Sequence, residues 1–167
     1  MNDDTTARLS LPLLQPGQAQ KEMFHNEALV LLDIAAQPVV VDVGRTVPPE
    51  SPQPGQCWAI GAAPTGTWTG HAHAIAGWTG GGWRFVAAQD GMQGWSLADA
   101  LPIRFAAGAW RVGELAAESL RIGGLQVVSS RQGAIAAPID GAVVDGQARA
   151  ALAEILGALR AHGLIEG

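Results

Sequence analysis

Ile75-Ala76-Gly77-Trp78-Thr79-Gly80-Gly81-Gly82-Trp83-Arg84-Phe85-Val86 is the stretch on which the fold class turns. Two short apolar runs flank a turn of one threonine and three glycines, the pattern of a β-hairpin. The same punctuation recurs on both sides. Pro38 to Val43 has the β-branched density of a strand, Gln56 to Ile60 and Ala72 to Trp78 are apolar runs, and Pro102 to Phe105 follows. Pro64-Thr65-Gly66, Asp90-Gly91 and Ala107-Gly108 separate them. Val47 to Gly55, with prolines at 48, 49, 52 and 54, can be neither helix nor inner strand. Short strands joined by glycine turns predict a small antiparallel β module over residues 38–112.

The flanks read differently. Met1 to Ser10 is polar without periodicity, an arm expected to be ordered only where a neighbour holds it. Leu11-Pro12-Leu13-Leu14-Gln15-Pro16-Gly17-Gln18 is extended, because each proline fixes its own φ and turns the preceding residue away from the helical region. A largely apolar helix is expected from Gln18 or Ala19 to about Ala35, with Glu22, Asn26 and Asp33 facing out. After Trp110, Glu114 to Leu120 is read as a helical turn and Leu125 to Val128 as a strand. Asp145 suits an N-cap and Gly163 the position beyond a helix C-cap. Between them Ala148, Leu152, Ile155, Leu159 and His162 fall at alternating spacings of four and three, an a/d seam about two heptads long. The fold class is therefore α+β: an N-terminal arm and helix (1–37), the Trp- and Gly-rich antiparallel module (38–112), and a linker strand with a C-terminal oligomerisation helix (113–167).

Composition narrows function. The 167 residues are 48% apolar and 15% charged, with a net charge of -5, which fits a soluble folded chain that starts near Met1. One lysine and nine scattered arginines make no basic stripe, so nucleic acid is not expected as a ligand. No apolar run reaches the roughly 18 residues of a membrane span, and with Cys57 alone there is no internal disulfide. Six tryptophans and 22 glycines stand beside no tyrosine and few titratable groups. An interaction or structural role outranks catalysis, and no cofactor is expected.

Leu11-Pro12-Leu13-Leu14-Gln15-Pro16-Gly17-Gln18-Ala19-Gln20-Lys21-Glu22, His25-Asn26-Glu27-Ala28-Leu29 and Leu32-Asp33 resemble the opening of the bacterial family DUF2793. The resemblance continues through Pro54-Gly55-Gln56, Thr65-Gly66-Thr67-Trp68-Thr69-Gly70, Ile75 to Trp78, Gly82-Trp83, Asp90-Gly91, Gly94-Trp95 and Gly108-Ala109-Trp110. Such proteins are typically encoded in phage, prophage and gene-transfer-agent structural gene clusters. The resemblance implies a virion or particle component, such as part of a head spike, fibre or tail apparatus, assembled in the bacterial cytoplasm. It implies no catalytic residues, and Met23 and Phe24 stand where more polar residues are expected.

Individual residues yield little chemistry. His71 and His73 would share one face of a strand, but no third metal ligand is visible at a suitable spacing. His25 and Glu27 point apart on a helix. Cys57, with no histidine near it in sequence, reads as a small core residue. Ser129-Ser130 lacks the glycine-flanked elbow of a nucleophilic serine. The tryptophans either fill a core or interface, or stack on sugar rings; Trp68, in a threonine- and glycine-rich loop, is the one expected to be exposed. The helix seam either lies on its own domain or meets copies of itself. The expectation is a homo-oligomer, trimer or pentamer, seamed by Ala148, Leu152, Ile155, Leu159 and His162. It would dock through Leu11, Leu13, Leu14, Gln15 and Gln18 on capsid, spike-fibre or tail proteins. A carbohydrate-binding module touching cell-surface glycan through Trp68 is the alternative.

Overall fold

The structure, a computed structural model, describes residues 5–14, 21–128, 130–137, 145–162 and 164–166. They form two compact units, one ending at Glu114 and the other beginning at Leu115. The Pro16-Gly17 turn, Gln15, Gln18, Ser129 and Gly163 lie outside the described residues.

In the first unit, helix α1 (Lys21–Ala35) precedes β1 (Val39–Val40), β2 (Val43–Arg45) and β3 (Cys57–Ile60). A single 3-10 turn, Gly66–Trp68, leads to β4 (Ile75–Thr79) and β5 (Gly82–Val86), then β6 (Gln93–Ser96), β7 (Leu101–Ala106) and β8 (Ala109–Val112). The 75–86 stretch is the expected hairpin, with Trp78 opposite Trp83 and Thr79 opposite Gly82. Two four-stranded sheets result, ordered β2-β3-β4-β5 and β1-β6-β7-β8. They are antiparallel except at one edge of each, where β2 runs parallel to β3 and β1 parallel to β6. Pro38 to Val43, expected as one strand, is thus divided between the two sheets.

The alternation of side chains along a strand explains the core. Cys57 and Ala59 of β3 and Ile75 of β4 join Ile34 of α1, Val40 of β1 and Ile103 of β7 in one cluster. The intervening residues Trp58, Ile60, Ala74 and Ala76 form a second cluster with Trp68. The sheet containing β3 is therefore buried on both faces, which is why all four β3 residues are buried. Gly77 is required where α1 crosses β4: a Cβ there would lie 2.5 Å from Ile34 Cδ1.

The arm is not free. Asp33, expected on the solvent side of α1, is buried and accepts hydrogen bonds from Thr6 Oγ1 (2.9 Å), Arg8 N (3.0 Å) and Leu9 N (2.5 Å). The Arg8 guanidinium donates to the carbonyls of Asp33 and Ile34, acceptors that the helix end leaves without partners, and to that of Gln37 beyond it. Asn26 grips Leu14 through both backbone groups, at 2.9 and 3.0 Å. The expectation of an arm ordered only by a neighbour is corrected: a buried carboxylate and an amide on its own helix hold residues 5–14.

The second unit contains the hairpin β9 (Leu120–Ile122) and β10 (Leu125–Val128), followed by α2 (Gly146–Ala161). Residues 114–119, expected as a helical turn, are not helical. Gly123 and Gly124 both have positive φ (58° and 81°), as a tight turn of type I′ needs, and this directs the chain into the hairpin. Asp145 caps α2 as expected, accepting from Gln147 N and Ala148 N at 3.1 and 3.0 Å. Gln132 forms a parallel bridge with Ile165 beyond the helix end. Arg160 donates to the Ile135 carbonyl of its own chain at 2.5 Å.

Candidate functional site

The helix seam is the clearest candidate surface. Alanine and leucine in Gly146–Ala161 favour a helix, and the alternating spacing sets Ala148, Leu152, Ile155 and Leu159 along one stripe. Leu152 is 47% exposed and Ile155 54%, Ala148 and His162 are exposed, and Leu159 is half-buried. Leu156, one position beyond the seam, is the helix residue that this chain buries itself, together with Ile165 after the helix end. Leu156 falls about 40° around the helix from Leu152, so the buried position borders the seam. The sequence spacing finds the seam but not the burial of Leu156.

At the opposite end of the chain, the block expected to dock is partly used internally. Leu11 and Leu13 are half-buried, while Leu14 remains exposed. What α1 leaves to solvent is Met23 (63%), Phe24 (79%) and Leu32 (51%). Phe24 and Leu32 fall on other sides of the helix from Val30 and Ile34, which enter the core, while Met23 shares their side but lies in the first turn of the helix. Phe24 is more exposed than Leu11, Leu13 and Leu14, the described residues chosen for docking from sequence.

Trp68 requires a correction. It is completely buried, with ring centroids 6.2 Å from Trp58 and 5.2 Å from Trp83, the second contact edge-on. Its loop folds inward because Thr65 N donates to Thr46 O (2.8 Å) and Gly66 takes a positive φ of 59°, which starts the 3-10 turn. Trp78 and Trp83 complete the cluster at 4.9 Å. These indoles fill a core where each buries on the order of 200 Å², and Trp68 offers no face to a sugar ring. Trp95, 43% exposed, is the more accessible indole.

His71 and His73 do not share a strand face either. They lie in the turn before β4, where His73 has φ 64°. His71 stacks on Phe85 at 3.7 Å, and His73 tilts over Phe105 at 6.0 Å. Among the described residues no three His, Cys, Asp or Glu side chains come together to hold a metal ion.

A cavity of about 550 Å³ opens between the arm, α1 and the β4–β5 turn. Thr6, Arg8, Asp33, Cys57, Trp78 and Arg84 line it. Its charges are already engaged: Asp33 by the arm, Arg8 by the Asp33 and Ile34 carbonyls of α1, and Arg84 by Glu27 at 2.6 Å. Burial pushes the Cys57 thiol up to about 11, against a smaller downward pull from Arg8. At neutral pH the thiol is protonated, so the most reactive atom type in the cavity is held in its unreactive form.

The described residues thus place a tryptophan cluster in the core and leave apolar side chains of α2 exposed. No helix among the described residues is long and apolar enough to cross a membrane. The chain belongs to the family described as "Protein of unknown function (DUF2793)", whose model matches residues 25–111, a little over half of the sequence. The match covers most of α1 and the two sheets and ends within β8, so the second unit lies beyond it. No curated protein matches the chain.

Proposed function

We propose that this protein is a structural subunit of a phage-like particle, of a phage or a gene transfer agent. It forms a symmetric homo-oligomer that attaches a spike or fibre to the particle. The observation that carries the reading is the exposed Leu152–Ile155 seam on α2, in a unit whose described residues include only two buried apolar side chains, Leu156 and Ile165. A helix of 16 residues is marginal alone in water, so its apolar stripe calls for a partner. Cyclic symmetry multiplies one short seam into several simultaneous contacts. Membership of a family whose resemblance points to phage-like structural gene clusters favours a particle over a free-standing binder. Met23, Phe24 and Leu14 then supply the apolar surface for docking on capsid, spike-fibre or tail proteins.

Light scattering on the purified full chain tests this. The expected mass is that of a trimer or pentamer, and Leu152→Asp with Ile155→Asp reduces it to that of a single chain. A wild-type mass equal to one chain at all accessible concentrations refutes self-assembly through the seam.

A further inference from the structure

The β1-β6-β7-β8 sheet turns one face to the core and the other outward. Residues paired across a ladder project to the same face, and the registers pair Val39 with Trp95, Trp95 with Pro102, Gln93 with Arg104, and Arg104 with Arg111. Val40 and Ile103, one step along their strands, are buried in the core, and Val112 packs against it. The other six residues therefore share the outer face, where Val39, Gln93, Trp95, Pro102 and Arg111 are exposed and Arg104 is half-buried. One half of this face is apolar, with the Trp95 indole between Val39 and Pro102. The other half is cationic. Arg104 and Arg111 stand directly opposite each other, an arrangement of like charges that costs stability. Among the described residues neither guanidinium has a salt-bridge or hydrogen-bond partner, and Arg104 Nε is shielded from solvent as well.

We infer that this face binds an acidic saccharide, with a sugar ring lying on Trp95 and a uronate carboxylate held by Arg104 and Arg111. Charge selects the anion: in a chain of net charge -5, two uncompensated arginines side by side attract negative charge. A carboxylate suits them because its two oxygens match the planar guanidinium fork. Trp95 and Arg104 are diagonal neighbours across the β6–β7 ladder, about 7–8 Å apart at the backbone, so one uronate unit reaches both side chains. The C–H groups of the ring cover the apolar indole face, and Gln93, opposite Arg104, supplies an amide that both donates to and accepts from hydroxyls. Extent argues against a protein partner, since a stable protein interface takes roughly 20–30 residues from each side and this face offers far fewer. Two arginines without a basic stripe do not make a nucleic-acid site. The site lies within one chain and is independent of self-assembly.

Isothermal titration of the full chain tests this with hexamers of galacturonate and of mannuronate, against galactose and mannose hexamers and hexaglutamate as controls. At least one uronate hexamer is expected to bind, and its neutral counterpart and hexaglutamate to bind about tenfold more weakly or less. Trp95→Ala should weaken uronate binding about tenfold or more, and Trp95→Phe, which keeps an aromatic face, should retain most of it. Arg104→Gln with Arg111→Gln should remove the preference for the acidic over the neutral hexamer. The urea midpoint of each variant reports that it folds. Uronate binding that survives both Trp95→Ala and the arginine double variant lies elsewhere and overturns the site. Hexaglutamate binding as tight as uronate binding, with no loss on Trp95→Ala, marks a general anion patch and overturns the saccharide. Neither uronate hexamer binding at about 1 mM overturns it outright.

Discussion

The two units of this chain solve the problem of apolar surface in opposite ways. Among the described residues, twelve buried apolar side chains lie in the first unit and two in the second. The first layers a helix and two sheets so that Cys57, Ala59 and Ile75 face one cluster and Trp58, Ile60 and Ala76 another. The second leaves Leu115, Ile122, Leu125 and Ile155 more than half exposed. The difference teaches that a stretch with good helix and strand patterns can still lack the partner its pattern requires. The first unit buries apolar side chains from helix and sheets within one chain, whereas the described residues of the second leave several large ones exposed.

The largest effect that sharpens this contrast comes from Trp68→Ala. Removing an indole at 0% exposure should cost the first unit about 3–5 kcal/mol. Leu156→Ala in the second unit should leave the first unit's denaturation midpoint unchanged, since it belongs to a separate compact unit. Tryptophan-fluorescence denaturation in urea reads both, because every tryptophan lies in the first unit. A comparable shift from Leu156→Ala would break the comparison.

The next effect is one of pH and belongs to the first unit through Cys57. In the unfolded chain its thiol ionises from 9.0, and in the folded chain only near 11. Between these values unfolding releases a proton, so stability that is complete below pH 9 falls as pH rises toward 11, by roughly 2–3 kcal/mol. The slope of the urea midpoint between pH 8 and 11 measures it, and Cys57→Ala should flatten that slope. A slope unchanged in the variant would assign the alkaline loss elsewhere.

The smallest effect is at the Arg84–Glu27 pair, which ties β5 to α1 at 2.6 Å with both side chains about a third or more exposed. Glu27→Gln should cost less than about 1 kcal/mol and nothing measurable at roughly 1 M salt. A larger, salt-independent loss in thermal melting would show that the first unit depends on its surface as well as its core.

What could be read from sequence follows the range of the forces involved. The 75–86 hairpin and the Asp145-capped helix are set by neighbours a few residues apart, and glycine turns, spacing and capping chemistry reveal them. The burial of Trp68 and Asp33 is not legible in sequence because partners far along the chain decide it: Thr46 draws the Trp68 loop inward, and Thr6, Arg8 and Leu9 convert Asp33 from a surface acid into a buried acceptor. The parallel pairing of β1 with β6 is invisible for the same reason. Of the candidate surfaces, the heptad seam is legible because it is periodic. The burial of Leu156 and the exposure of Ile122 and Leu125 are not, because they depend on what the rest of the chain covers and what it leaves open.

The parallel pairing also sets a schedule for synthesis. Val39 and Val40 find their strand partners only in Trp95 and Ser96, and Ile103 of β7 joins the cluster of Ile34 and Val40 later still. At about 5–20 residues per second, several seconds separate the emergence of β1 from that of β6. During this interval α1 and β1 are made but lack their far-side cover, and such non-local closure is the slow part of folding. The first sheet to close is therefore β3-β4-β5, whose members follow one another directly. A nascent chain stalled before Gln93 should hold that meander and leave β1 without its strand partner.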